Sequence, residues 1–169
     1  MSEEFALLAD LHKPGVRQGP GSDAATCRAM ELACLDRSGP LKIADIGCGT
    51  GAAALLLAQQ LESEIIAVDF LPEFIEELEV RAKHQGLSHK ITPLVGSMQA
   101  LPFNEDDFDV IWSEGAIYNI GFERGAREWA SFLKPGGVLV ASEITWTTST
   151  RPGELQQYWD DAYPEIDTA

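Results

Sequence analysis

The chain has 169 residues and a formal net charge of −15, from 12 basic and 27 acidic side chains. This length suits one domain with a buried core and is short for two. The acidic balance argues against nucleic-acid binding, which needs a surface dense in Lys and Arg. It suits neutral or cationic ligands, although an acidic surface also serves to keep a protein in solution.

The amino terminus and the cysteines predict a cytoplasmic protein. Residues 1–4 are acidic and lack the basic-then-apolar order of a signal peptide. The sequence has no run of about 18 apolar residues, so no membrane span is predicted. The three cysteines, Cys27, Cys34 and Cys48, show neither CxxC spacing nor clustering with histidine. They favour a reducing compartment and predict no metal site.

The whole chain, residues 1–169, is predicted to be one domain that begins with a helical segment over residues 1–38. Apolar residues at helical spacing predict a short helix over residues 3–11, and the prolines and glycines of residues 12–21 predict a loop. Ser22 or Asp23 can cap a second helix that ends near Asp36. Its buried face is expected to contain Met30, Ala33 and Cys34.

Residues 41–143 alternate apolar runs with helical patterns. Strands are predicted at residues 41–46, 64–70, 90–96, 108–113 and 138–143, with helices after the first strand and at residues 73–85 and 122–133. This alternation implies right-handed βαβ units and a doubly wound, mostly parallel α/β sheet. Pro93 places the third strand at an edge, because proline cannot donate to a ladder. Residues 144–169, with a helix predicted at 152–163, would begin a substrate-covering region.

A glycine-rich turn after the first strand organises the rest of the chain. Gly47, Gly49 and Gly51 stand between that strand and an Ala/Leu-rich helix, the arrangement that builds a cofactor site in open α/β sheets. The pattern alone also fits a dinucleotide, since Ala52 completes the relaxed fingerprint and Asp69 stands where a ribose-binding acid is expected. Two classes of cofactor therefore remain open at this point.

Asp45 favours one of these classes. A carboxylate just before the glycines would repel the pyrophosphate of a dinucleotide, whereas it suits an ammonium group. S-adenosylmethionine has such a group, a positively charged sulfonium and no phosphate. The alternative is that Asp45 forms only a strand-end or helix-capping hydrogen bond.

Four segments, in order over about residues 41–143, resemble the class I S-adenosylmethionine-dependent methyltransferases. The family's cofactor loop is similar to IADIGCGTG at 43–51, and its ribose-binding segment is similar to AVDF at 67–70. The turn beside the adenine is similar to GSMQALPFNEDDFDVIWS at 96–113, and the turn into the fifth strand to LKPGGVLV at 133–140. The central segments are most similar to the small-molecule branch that includes quinone-biosynthesis enzymes.

The resemblance implies a methyl transfer to a small-molecule acceptor by in-line displacement, with the cofactor held by a set of loop residues. Many relatives carry Asp where this chain has Ser97, so adenine binding would depend more on backbone donors and on packing by Met98. The alternative is that Ser97 only closes a turn. Arg17 lies in a loop that resembles a cofactor-covering segment, where it would either meet the cofactor's carboxylate or be a solvated surface residue. The remaining implied cofactor residues are Asp45, Gly47, Cys48, Gly49, Asp69, Phe70 and Ser113.

The acceptor is expected beside the loop that follows the fourth strand, where Glu114 and Tyr118 are candidates for contacting it. Alignment of the reactants is the main requirement, and Glu114 or His12 would act as general base only for an acceptor that must lose a proton. His12 is alternatively a surface residue, and Tyr118 alternatively a packing residue. A set of later aromatic side chains would either wall an apolar acceptor pocket or belong to the core, namely Trp146, Trp159 and Tyr163.

The family's sheet normally has seven strands, whereas five are predicted here. We therefore expect a chain that lacks the last two family strands and leaves one sheet edge able to pair with a second copy as a homodimer. Two other functions remain open, namely binding of S-adenosylmethionine without catalysis and an NAD-dependent oxidoreductase.

Overall fold

A computed structural model describes residues 7, 10–35 and 38–168 of the chain. Five strands form a parallel sheet, namely β1 (Leu41–Ile46), β2 (Ser63–Asp69), β3 (Ile91–Val95), β4 (Phe108–Ser113) and β5 (Leu133–Ala141). They lie in the order β3-β2-β1-β4-β5, so the chain first builds one side of β1 and then the other. Pro93 lies in β3 at a sheet edge, as predicted.

Helices cover the sheet and confirm the predicted doubly wound α/β architecture. They are α1 (Asp23–Leu32), α2 (Ala52–Gln60), α3 (Pro72–His84), α4 (Phe122–Trp129) and α5 (Gly153–Ala162), with 3-10 turns at Ile117–Asn119 and Ala130–Phe132. Two short strands that the sequence did not predict, β6 (Thr145–Trp146) and β7 (Asp167–Thr168), pair with each other. No helix in the described part of the chain is long and apolar enough to cross a membrane.

Among the described residues, two large apolar clusters form most of the core, one on each face of the sheet. Ile43 packs with α2 and α3 through Leu57 and Leu78 on one face, whereas Ala44 and Trp129 belong to the cluster on the other. Because β1 is buried on both faces, apolar residues such as Ile43, Ala44 and Ile46 lie on both of its faces instead of alternating strictly with polar ones. Full burial of each large aliphatic side chain contributes about 1.5–3 kcal/mol to the free energy of unfolding.

The fifth strand begins earlier than the sequence predicted. Leu133 already pairs with Phe108, and the next pair joins Val138 to Val110, so five steps along β5 correspond to two along β4. Residues 134–137, which the proline and glycines marked as a turn before the strand, form an irregularity inside it. The strand also ends at Ala141 rather than at residue 143.

The helix α1 ends at Leu32, several residues before the predicted end. Met30 is buried as predicted, but Ala33 is only half-buried and Cys34 is exposed. The reason is that Cys34 leaves the helix in a left-handed conformation, with φ of 47°, which turns its side chain outward. Asp36, the predicted end, lies outside the described residues, as does most of the predicted helix at residues 3–11, of which Leu7, Asp10 and Leu11 are helical.

Candidate active site

The strands β1, β2 and β4 end at a cleft of about 720 Å³. Because β1 and β4 are neighbours reached by connections in opposite directions, their carboxyl ends leave a crevice between the loops that follow them. Residues 17–20 and the segments after β2 and β3 complete its walls. The predicted site residues that line it are Arg17, Asp45, Gly47, Cys48, Gly49, Asp69, Phe70, Ser97, Met98, Glu114 and Tyr118.

Asp45 is the most deeply buried acid of the cleft, with 1% of its surface exposed. Its Oδ2 atom has no hydrogen-bond partner among the described residues, while the backbone N–H of Ala54 in the first turn of α2 donates to the carboxylate. Burial, then the negative charges of Glu114 and Asp69, raise the pKa of Asp45 to about 8. A cationic donor reaching Oδ2 would satisfy this group and favour its charged form.

The glycine turn is held in place by backbone contacts. The N–H groups of Gly47 and Cys48 both donate to the Val68 carbonyl oxygen, at 2.8 and 2.9 Å. Gly47 has φ of +77°, and a Cβ atom there would lie 2.3 Å from the Cβ of Ala116 across the cleft wall. A side chain at this position is therefore excluded both by conformation and by space. Burial raises the pKa of the neighbouring Cys48 thiol well above its usual range.

Asp69 connects the end of β2 to the glycine turn. Its Oδ2 accepts from the Gly49 N–H at 2.8 Å, and its Oδ1 accepts from the Leu71 N–H at 3.0 Å. Burial raises the pKa of Asp69, and these backbone donors oppose the rise. The carboxylate thus shapes the turn while it also lines the cleft.

Glu114, a predicted general base, is bound by three donors of the protein. Trp112 Nε1 donates to its Oε1 at 2.9 Å, while Arg17 Nη1 and Thr26 Oγ1 donate to its Oε2 at 2.7 and 3.0 Å. Its side chain is 11% exposed and that of Arg17 is 15% exposed. Both carboxylate oxygens are occupied, so the geometry is that of an anchoring group rather than of a free base.

The predicted contact of Arg17 with a cofactor carboxylate stays a prediction. In the structure Arg17 pairs with a carboxylate of the chain itself, Glu114, and Arg17 Nη2 lies 3.1 Å from Thr26 Oγ1 and 3.4 Å from Asp23 Oδ1. Arg17 nevertheless lines the cleft, so its guanidinium fixes the amino-terminal loop against the loop after β4.

Other predicted residues lie away from the cleft. Ser113 is fully buried, and its hydroxyl donates to the Ile46 carbonyl oxygen at 2.9 Å, so it joins β4 to β1 instead of facing a ligand. His12 does not line the cleft, and its carbonyl oxygen accepts from the Gln18 amide. The three later aromatic residues are also absent from its walls, although the Tyr163 ring lies edge-on to Tyr118 at 6.1 Å.

For Ser97 and for Tyr118 the structure agrees with both alternatives, a ligand contact and a local structural role. Ser97 Oγ accepts from the Gln99 N–H at 3.2 Å, which closes a local turn, and the residue also lines the cleft. Tyr118 packs against Tyr163 and lines the cleft too. Among the described residues no group of three His, Cys, Asp or Glu side chains is arranged to hold a metal ion.

Sequence reasoning missed Gln18, which lines the cleft and binds the glycine turn. Its Oε1 accepts from both the N–H and the hydroxyl of Thr50, at 2.9 and 3.0 Å. The signal available was its place in the loop at residues 17–22, which resembles a cofactor-covering segment. Further lining residues that were not predicted are Leu71, Phe74, Ala116, Asn119 and Ile120.

Comparison with known proteins shows to which family the chain belongs. The sequence profile of the methyltransferase domain matches residues 43–137, more than half of the chain. The chain belongs to the methyltransferase family. The match contains the last four residues of β1, the glycine turn and β2 to β4, which form most of the cleft. It agrees with the resemblance to the class I, S-adenosylmethionine-dependent members.

Curated relatives match the central part of the chain. The chain is 31% identical over 111 residues to methyltransferase GfsG of Streptomyces halstedii, covering 65% of this chain and 40% of that protein. It is 32% identical over 114 residues to the ubiquinone/menaquinone biosynthesis C-methyltransferase UbiE of Geobacter sp. strain M21, covering 66% and 48%. The chain thus spans less than half of the length of these two proteins.

Solved structures share the fold over nearly the whole chain. A methyltransferase from Thiobacillus denitrificans in complex with S-adenosyl-L-homocysteine superimposes with a TM-score of 0.81 and 17% identity, covering 99% of this chain and 66% of that one. The [4+2]-cyclase SpnF superimposes with a TM-score of 0.74 and 24% identity, covering 86% and 60%. These likenesses establish the fold of the chain.

Proposed function

We propose that this chain is an S-adenosylmethionine-dependent methyltransferase that acts on a small-molecule acceptor. One observation carries the proposal, namely the buried Asp45 carboxylate with its unpartnered Oδ2 at the glycine turn. The ammonium group of S-adenosylmethionine has the charge and the N–H donors that this oxygen needs. A dinucleotide would bring negative phosphates to the same place. Membership of the methyltransferase family supports the choice.

The residues at the carboxyl ends of β1 and β2 fit this cofactor. Asp45 would receive the ammonium group, and Gly47 and Gly49 leave the backbone open to close approach. Asp69 would accept from the ribose hydroxyls with its carboxylate. When bound, the cofactor supplies a methyl group on a positively charged sulfur, and these residues hold and orient it.

The adenine would lie beside the segment that follows β3. Ser97 and Met98 line this part of the cleft, and Phe70 lines the part next to Asp69. Ser97 already uses its hydroxyl oxygen to accept from Gln99, so packing by Met98 would contribute more than a charged contact. The Met98 carbonyl oxygen accepts from the buried Trp129 Nε1 at 3.2 Å, which fixes the backbone of this segment.

The acceptor would lie along the loop after β4, where Tyr118 and Ile120 line the cleft. Among the described residues, the acids lining the cleft are Asp45, Asp69 and Glu114, whereas the one lining cation, Arg17, is already paired. This charge favours a neutral or cationic small molecule over an anionic acceptor or a nucleic acid. We propose Tyr118 as the acceptor contact and give Glu114 the role of anchoring Arg17.

The experiment that tests the proposal is turnover of S-adenosylmethionine with a panel of amine, phenol and carbon acceptors, together with a mass spectrum of any co-purified ligand. Formation of S-adenosylhomocysteine that depends on an acceptor is the expected result. Co-purified NAD without turnover would contradict the proposal in favour of an oxidoreductase.

A second candidate is binding of S-adenosylmethionine without catalysis. The observation that favours it is the occupied state of Glu114, whose two oxygens are both bonded within the protein. Tight cofactor binding with no product from any acceptor would select this candidate over the first.

Assembly and location are also proposals. Within the described residues β5, a strand of nine residues, pairs with β4 along one of its edges. Its other edge supports pairing with a second copy. A monomeric mass by light scattering at micromolar concentration would contradict this homodimer. The three free cysteines, Cys27, Cys34 and Cys48, support a cytoplasmic, reducing location.

A further inference from the structure

Residues 13–20, here called the strap, cross the glycine turn without forming a helix or strand. Four of them, residues 17–20, line the cleft. The strap contains two prolines and two glycines, so little of its own structure would hold it in this place. Its position must therefore come from contacts with the rest of the protein.

Gln18 joins the strap to the glycine turn with both ends of its amide. Its Oε1 accepts from the Thr50 N–H and hydroxyl, and its Nε2 donates to the Gly15 carbonyl oxygen at 3.0 Å. The approach is close, since a Cβ atom on Gly49 would lie 2.6 Å from Gln18 Oε1. The strap thus rests directly on the turn that would contact the cofactor.

Arg81, in α3, holds the strap from outside the cleft. Its Nη1 donates to the Val16 carbonyl oxygen at 3.1 Å, and its Nη2 donates to those of Lys13 and Gly15 at 3.3 and 3.0 Å. Nη1 also donates to Thr50 Oγ1 at 2.7 Å, the hydroxyl that binds Gln18.

The remaining donor of Arg81, its Nε, binds Glu77 Oε1 one turn earlier on α3 at 2.8 Å. The guanidinium has five N–H groups, and these five contacts account for all of them. A guanidinium committed in this way to three carbonyl oxygens of one loop fixes the backbone path of that loop rather than one of its side chains. Arg81 does not line the cleft, so any effect on a ligand must pass through the strap and the turn.

We propose that Arg81 is a positioning residue that, with Gln18, holds the strap closed over the cofactor and limits the rate at which the cofactor leaves. The inference rests on the proposed function, because the cofactor is the ligand that the strap would retain. Loss of Arg81 releases three backbone carbonyls and one hydroxyl at once, so the strap opens more often while the cleft residues stay in place. The main effect is therefore on dissociation rather than on the contacts themselves.

The test compares Arg81→Met with a matched control, Arg124→Met. Arg124 forms the same kind of pair on α4, with its Nε 2.8 Å from Glu128 Oε1 four residues later, and it lies outside the cleft and the strap. Stopped-flow displacement measures dissociation of S-adenosylhomocysteine, and hydrogen exchange of the ligand-free protein measures opening of residues 13–20.

For Arg81→Met we expect dissociation to be about tenfold faster, the effect of losing the net contribution of one hydrogen bond to a charged group. Exchange in the strap should rise, while Arg124→Met leaves both quantities unchanged. Arg81→Lys, which keeps the charge but not the planar fork of donors, should restore only part of the slow dissociation.

Unchanged dissociation and exchange in Arg81→Met would overturn the inference and leave the proposed function standing. Absence of S-adenosylhomocysteine binding to the unaltered protein would overturn both. If circular dichroism shows that Arg81→Met does not fold, Gln18→Leu makes the same test from the strap side, and wild-type dissociation in that variant would overturn the inference.

Discussion

The two sides of the cleft are built in different ways. Along β1 and β2 the backbone forms the wall, because Gly47 leaves no room for a side chain and Asp69 binds the N–H of Gly49. Along β4 the wall is formed by paired side chains, with Glu114 accepting from Arg17 and other donors. Substitutions should be tolerated better along β4, because a pair of side chains can lose one hydrogen bond. The glycine turn has no room for even one added Cβ atom.

The largest effect is expected on the backbone side, from Gly47→Ala. The new Cβ atom would meet Ala116 at 2.3 Å in a left-handed conformation, which should lower the free energy of unfolding by about 2–5 kcal/mol. Gly136→Ala is the matched control, since its φ of +83° is similar but no atom lies within 4 Å. Its cost should be about 1–2 kcal/mol, and equal losses in urea unfolding of the two variants would remove the steric argument.

A smaller effect is expected from Asp69→Ala. Loss of its charge-assisted hydrogen bonds should weaken binding of S-adenosylhomocysteine by about 1.5–3 kcal/mol. Asp107→Ala is the control, because Asp107 pairs with Lys42 away from the cleft and should leave the dissociation constant unchanged. Unaltered affinity in Asp69→Ala would remove Asp69 from the site.

The pH dependence of binding tests Asp45. Its pKa is raised to about 8 by burial, so below that pH the carboxyl group carries a proton that a cationic ligand must displace. Affinity for S-adenosylhomocysteine should therefore increase as the pH rises from 6 towards 8, by at most about tenfold per pH unit. Asp45→Asn should bind weakly with no such slope, and a slope that persists in this variant would assign it to another group.

The same shift predicts how stability depends on pH. A carboxyl group whose pKa is higher in the folded protein binds more protons there, so its contribution is present below its unfolded pKa of about 4 and is lost as the pH rises towards 8. Urea unfolding across this range should show the decline in the unaltered protein and a shallower one in Asp45→Asn. Parallel curves for the two proteins would contradict the assigned pKa.

The smallest effect is expected on the side-chain side, from Glu114→Gln. The amide keeps the shape of the carboxylate and weakens the contact with Arg17, at a cost of about 1 kcal/mol in the free energy of unfolding. If Glu114 anchors Arg17, turnover should persist with an unchanged pH profile. A large loss of turnover, with the acidic limb missing from the pH profile of the residual activity, would instead make Glu114 a general base.

The contrast between the two sides also explains what the sequence could predict. The bounds of β1 and β4 were predicted to the residue because each is a short, mainly apolar segment with apolar side chains on both faces, which indicates burial on both faces. The start of β5 was missed because Lys134 to Gly137 looks like a turn, and only the pairing of Leu133 with Phe108 reveals a strand. A local sequence pattern reports the burial of a strand, but it does not report which residues pair between strands.

The same reasoning applies to the site. Asp45 and the glycines lie within a few residues of each other, so their spacing indicated one binding turn. The contact of Arg17 with Glu114 joins residues 97 positions apart, and that of Gln18 with Thr50 joins residues 32 apart. No periodicity reports such pairs, so a base role for Glu114 and a cofactor contact for Arg17 were predicted without the ion pair that the structure forms between them.

The central claim is that the unpartnered Asp45 oxygen marks a site for a cationic, phosphate-free adenosine cofactor. The most direct measurement is calorimetric titration of the unaltered protein with S-adenosylhomocysteine and, separately, with NADH. The account predicts binding of S-adenosylhomocysteine that weakens in Asp45→Asn, and no heat with NADH. Tight binding of NADH and indifference to S-adenosylhomocysteine would contradict it.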